Sequence, residues 1–176
     1  MKAIAYHTKD KTGWADGPWM HEPDKLQWAD EETGLPCLIV RGGLGALCGY
    51  VGVPRSHPAY GKHYDDEALL DIGVHGGLTF SDKCQHDGDQ TDVSQSICHV
   101  VEPGEDDDVW WVGFDCAHAF DLVPGMEARL RGTPWPVSKE DTYRDVAYVK
   151  NEIRSLAKQL KEMDGARDQS AVGQGA

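Results

Sequence analysis

At 176 residues, 40% of them hydrophobic and 27% charged, the chain suffices for one domain that buries roughly 70% of the surface its unfolded form would expose. No apolar run approaches the roughly 18 residues that a membrane span needs, so no spanning helix is expected. Thirty acids against seventeen bases give a formal charge of -13, which repels nucleic-acid phosphates and anionic lipid and disfavours direct binding to either.

The start, MKAIAYHTKDKTGW, lacks the apolar core and small-residue cleavage site of a signal peptide, so a cytoplasmic location is the expectation. The five cysteines form an odd set with no CxxC pair, which argues against a disulfide framework and a zinc ribbon and predicts free thiols. Cys37, Cys48 and Cys98 sit in apolar runs and read as small buried hydrophobes.

Residues 7–34 place Trp14, Trp19 and Trp28 among Gly, Pro and acids with no clean period, and read as an irregular segment packed at a sheet edge. LPCLIVRGGLGALCGYVGV then gives apolar runs at 35–40 and 46–53 around a glycine-rich turn, a β-hairpin. A phosphate loop is disfavoured there because no GK[ST] and no helical pattern follow. Two prolines stiffen the loop after it, and a short helix is expected over 65–72, stopped by Gly73. VHGGLTFS reads as a strand at 78–80 entered through a glycine break. Residues 82–95 read as a polar acidic loop without calcium-loop spacing. Strands at 96–101 and 109–116 are expected to pair antiparallel across the acidic turn EPGEDDD.

The last element has the clearest period. SKED from Ser138 reads as a capping box, and Val146, Val149, Ile153, Leu156, Leu160 and Met163 recur at steps of three and four, lining one helix face that stops at Gly165. The fold class expected is α+β: one domain over 1–163, an antiparallel sheet covered by a long C-terminal helix with one short additional helix, and a disordered tail at 164–176.

Chemistry concentrates at DVWWVGFDCAHAFD, where an apolar strand runs into Asp115, Cys116, His118 and Asp121. Where the chain leaves extended geometry, Asp115, His118 and Asp121 recur every third residue and can turn toward one point. Carboxylate and imidazole suit zinc, manganese or iron. The same residues also have ordinary uses: Asp115 capping a turn, His118 bonding a carbonyl, Cys116 filling the core. His75, at the glycine break, is the natural fourth member. The expectation is therefore a pocket in which His75, Asp115 and His118 act as acid-base groups, or the same three with Asp121 hold a divalent metal, zinc or manganese. A Cys116 nucleophile is disfavoured by the adjacent Asp115 charge, and a serine triad by the absence of GxSxG. Tyr60, His63 and Tyr64 are expected to form a lid, with Trp111 supplying aromatic surface to a ligand.

Four blocks, GYVGVPRSHPAYGKHYDD, DIGVHGGLTFSD, WWVGFDCAHAFDLVPG and YRDVAYVKNEIRSLAKQL, resemble a family of hypothetical proteins that recurs in bacteriophage, prophage and mobile-element genomes. The likeness spans about residues 47–160 and brings no known activity, so it implies context and assigns no residue a role. Three functions follow as expectations. The first is a His/Asp pocket binding a metal or small polar ligand, with hydrolysis as its chemistry. The second is a non-enzymatic acidic protein that covers a basic host-protein surface, in the manner of an anti-defence protein or DNA mimic, through the acids of 82–92 and 102–108. The third is an assembly protein forming a homodimer through the C-terminal helix.

Overall fold

The computed structural model describes residues 1–84, 94, 96–104, 108–131 and 140–172. Its six strands are β1 (Ile4–Tyr6), β2 (Lys25–Ala29), β3 (Pro36–Arg41), β4 (Leu47–Pro54), β5 (Phe80–Lys83) and β6 (Val109–Asp115). They form one antiparallel sheet in the order β1-β2-β3-β4-β6-β5. Two helices follow, a short α1 (Met126–Leu130) and the long α2 (Val146–Val172). The α+β class follows directly: a single antiparallel sheet with one long helix across a face.

The hairpin is where the glycine punctuation puts it. Cys37 faces Val51 and Arg41 faces Leu47 across β3 and β4, and the turn closes through Gly42 N–H to the Ala46 carbonyl at 2.8 Å. The period-two alternation sends Leu47, Val51 and Val53 to one face and Tyr50 to the other, so both faces are apolar. On the first face lies α2, whose Val149, Ile153, Leu156, Ala157 and Leu160 have no exposed surface. Each larger side chain among them contributes about 1.5–3 kcal/mol by leaving water. Gly49 makes the approach close enough, because a Cβ there would meet the Phe114 ring at 2.6 Å and Ile153 Cγ1 at 2.9 Å. The seam that could have joined two copies is thus spent on the sheet.

Several elements differ from expectation, each for a local reason. The N-terminal segment contributes β1 and β2. Its alternation is obscured because the inward positions of β2 facing away from α2 are Lys25 and Gln27, both buried. Residues 96–101 are not a strand. They run over the second face, where Lys25 Nζ donates to the Ser96 and Cys98 carbonyls and the Gln27 amide exchanges bonds with Val100. β6 accordingly pairs with β4 and β5. β5 starts at Phe80 rather than 78 because Gly76 and Gly77 are still in a turn, with φ of 66° and 86°. The helix expected over 65–72 reduces to a 3-10 turn at Glu67–Leu69, capped by the Asp66 carboxylate on Ala68 N–H.

The Ser138 capping box falls outside the described residues. The helix begins at Val146, and Asp145 caps it, its Oδ1 accepting from Tyr148 N–H at 2.7 Å. It also continues through Gly165 to Val172, so the predicted stop at Gly165 does not stand. An interior glycine costs only about 1 kcal/mol of helix propensity and need not end a helix. Cys84 and Cys98 form a disulfide, which corrects the expectation of free thiols throughout, and of Cys98 as a simple core filler. Cys37, Cys48 and Cys116 remain free. No helix among the described residues is long and apolar enough to cross a membrane.

Candidate functional site

Residues 55–77 leave β4 and lie along α2, clamped to it at successive turns. The Gln159 amide bonds the Gly73 N–H and carbonyl at 2.8 and 2.9 Å, and Glu152 Oε2 accepts from His75 N–H at 2.8 Å. Beyond β6, the chain turns at 116–121 and meets the same stretch. Asp121 is stitched in by a bridge to Thr142, so the turn, the 73–77 loop and the first two turns of α2 converge.

Asp121 is the hub. Its side chain is 1% exposed, and both oxygens are engaged. Oδ1 accepts from Arg144 Nε at 2.8 Å, while Oδ2 accepts from His118 N–H at 3.1 Å and from His75 Nε2 at 2.7 Å. Burial alone would raise the carboxyl pKa, but the Arg144, His75 and His118 donors outweigh it and hold the group below its ordinary value. An ionised Asp121 fixes the His75 tautomer: Nε2–H donates to the carboxylate, which leaves Nδ1 to accept the Tyr148 hydroxyl at 3.0 Å. Burial, then the Glu152 charge, pushes the Tyr148 hydroxyl above its usual range, so it stays a donor. Arg144 stacks on the Tyr148 ring at 4.9 Å, and only its Nε is committed to Asp121.

His118 completes the cluster, its ring 5.6 Å from that of His75. Its Nε2 is buried without a hydrogen-bond partner, pressed against Gly76, where a Cβ would come within 1.9 Å. Phe120, between His118 and Asp121 in the turn, holds a φ of 72° with its side chain 69% exposed. A non-glycine residue in that region stores strain, and such strain gathers at functional sites.

The predicted set is therefore brought together in part. His75, His118 and Asp121 share one neighbourhood. Asp115 is at its margin: Oδ1 caps the turn by accepting from Ala117 N–H at 3.0 Å and lies 3.8 Å from His118 Nε2. Among the described residues no three His, Cys, Asp or Glu side chains are grouped to hold a metal ion. The reason is local, since both His75 nitrogens and both Asp121 oxygens already serve protein partners. Cys116 is 2% exposed, and burial pushes its thiol far up, so it is no nucleophile.

The predicted lid is not beside His75. Tyr60 bonds Asp108 and leans on Trp110, and His63 pairs with Asp65. The His63 ring also stacks on Tyr64, 4.3 Å between centroids. Trp111, expected at a ligand, has no exposed surface and belongs to the core of the second face; Trp110 is the half-exposed one of the pair. Of the acids assigned to a host-binding face, 85–93 and 105–107 lie outside the described residues, and Asp108 is paired with Arg55 at 2.8 Å.

Sequence reasoning missed Arg144, Tyr148 and Glu152. They stand at i, i+4 and i+8, Arg144 just before α2 and Tyr148 and Glu152 on it, and that spacing was the available signal. Comparison with protein-family models, curated proteins and solved structures returns no match to this chain.

Proposed function

We propose that the Asp121–His75–Tyr148 array is a site for a small polar ligand, with His75 as its proton-transfer group and hydrolysis as the reaction it is suited to. One observation carries the reading: a half-buried imidazole is oriented by an ionised carboxylate on one nitrogen, and its basic nitrogen meets only an exchangeable hydroxyl. A ligand or water O–H that takes the place of the Tyr148 hydroxyl would deliver its proton to Nδ1, and Asp121 would stabilise the imidazolium formed. The terminal nitrogens of Arg144 keep their donors for a ligand oxygen. The resemblance to phage and mobile-element proteins supports placing this site in a protein of that type.

The test is turnover of p-nitrophenyl acetate, p-nitrophenyl phosphate and bis-p-nitrophenyl phosphate, with and without added zinc or manganese. Hydrolysis that falls about 10²- to 10⁴-fold in His75→Gln is expected for the loss of a general base. Turnover equal in the wild type and His75→Gln would remove His75 from the chemistry. Dependence on zinc or manganese that vanishes in His118→Ala and Asp115→Ala would move the reaction to a metal on those two residues.

A further inference from the structure

We propose that the Cys84–Cys98 disulfide is a redox clasp that holds residues 96–100 over the second face of the sheet and releases them when a dithiol reduces it. The bond joins the residue just after β5 to the middle of the covering segment, fourteen positions later. That segment has no strand pairing of its own. Besides the disulfide, side-chain bonds from β2 fasten it: Lys25 Nζ to the Ser96 carbonyl at 2.8 Å and to that of Cys98, and the Gln27 amide with Val100 N–H at 2.9 Å and the Val100 carbonyl at 3.3 Å. Beneath it lie Leu38, Val40, Tyr50, Val109 and Trp111, with Cys84 and Ile97 packed against them. Lys25 and Gln27 are buried beneath the segment, and its backbone answers part of their hydrogen bonding.

The remaining thiols make this bond the redox centre of the described chain. Burial pushes Cys37 up to about 12 and Cys48 up to about 11, and Cys116 higher still, so none offers an appreciable thiolate. Cys48 packs in the same cluster as Cys84 yet is too weakly ionised to attack it. Exchange therefore requires an external reductant. Its thiolate attacks the sulfur of half-buried Cys84, and Cys98 leaves as the thiolate and takes a proton. The reductant's second thiol then closes on the mixed disulfide and frees Cys84, leaving two protein thiols and an oxidised dithiol. Release of 96–100 uncovers Trp111 and opens the cavity of about 260 Å³ that His99 lines with Pro36, Pro54 and Val109.

The experiment is amide hydrogen exchange on the full chain, oxidised, reduced with dithiothreitol, and as the Cys84→Ser/Cys98→Ser double variant. Closing a loop of about 15 residues suggests that Val100 N–H exchanges roughly 100-fold faster once the bond is gone. The double variant should match the reduced protein, while Val112 in β6 and Val149 in α2 keep their protection. An unchanged Val100 rate on reduction would overturn the clasp. So would equal loss of protection at all three amides, which would make the disulfide a support of the whole fold, and so would a mass showing free thiols at Cys84 and Cys98 in air-purified protein.

Discussion

His57 and His75 stand at the two ends of one loop that is laid along α2, and they use the helix in opposite ways. His57 is 4% exposed and answered wholly by main chain: Nε2 donates to the Leu160 carbonyl at 2.8 Å and Nδ1 accepts from Ala59 N–H at 3.0 Å. His75 is 13% exposed and answered by side chains that can themselves gain, lose or exchange a proton. The first arrangement locks one neutral tautomer and has no valence to offer. The second orients a ring through an ionised group and leaves its other nitrogen on a replaceable partner. A histidine's chemistry is thus set by what its two nitrogens meet, more than by how deeply it lies.

The contrast is broken most forcefully at Asp121. Asp121→Ala leaves Arg144 Nε, His75 Nε2–H and His118 N–H without their acceptor, and unanswered partly buried donors of this kind are expected to cost about 3 kcal/mol. For a chain of this size that lowers Tm by roughly 6–12 °C. The NMR spectrum should also show the His75 ring losing its single tautomer, while His57 keeps its own. If both imidazoles kept their tautomers in Asp121→Ala, the carboxylate would not be what orients His75.

A smaller effect is expected at Gly76. Its φ of 66° disfavours any side chain, and a methyl there would fall 1.9 Å from His118 Nε2. Gly76→Ala should cost about 2 kcal/mol, combining backbone strain with displacement of the His118 ring. Denaturant unfolding measures the first, and loss of the cross-peak between His75 and His118 ring protons measures the second. A retained cross-peak would show that the two rings are held together by something other than the glycine turn.

These residues also show what a sequence can disclose. The β3–β4 hairpin, β6 and α2 were legible because hydrophobic period and glycine punctuation act locally. β1 and β2 were not, because Lys25 and Gln27 occupy inward positions through bonds to a segment some 70 residues away. The proximity of His75, His118 and Asp121 was legible as residue type near chain breaks. Their partners Arg144, Tyr148 and Glu152 were not, since Arg144 just precedes, and Tyr148 and Glu152 sit on, a helix whose conspicuous feature was its apolar seam. The disulfide was hidden by an odd cysteine count, which says nothing about which two of five will meet.

The finest test of the contrast is pH. Burial lowers the pKa of His57 below its ordinary value of 6.5, and the Leu160 carbonyl and Asp164 offset this only in part. The unfolded chain therefore takes up the His57 proton at a higher pH than the folded one does. Stability from this group is fully present above about pH 6.5 and is lost as the pH falls through the lower folded value, with a slope of at most about 1.4 kcal/mol per pH unit. Asp121 has the same sign, but its folded pKa lies below 3.8, so its loss falls in a separate and more acidic window. Urea unfolding between pH 7 and 5 should show the contribution of His57 in the wild type and a change in slope in His57→Gln that His75→Gln does not reproduce. A slope that survives His57→Gln and disappears in His75→Gln would reverse the two assignments, making His57 the open ring and His75 the locked one.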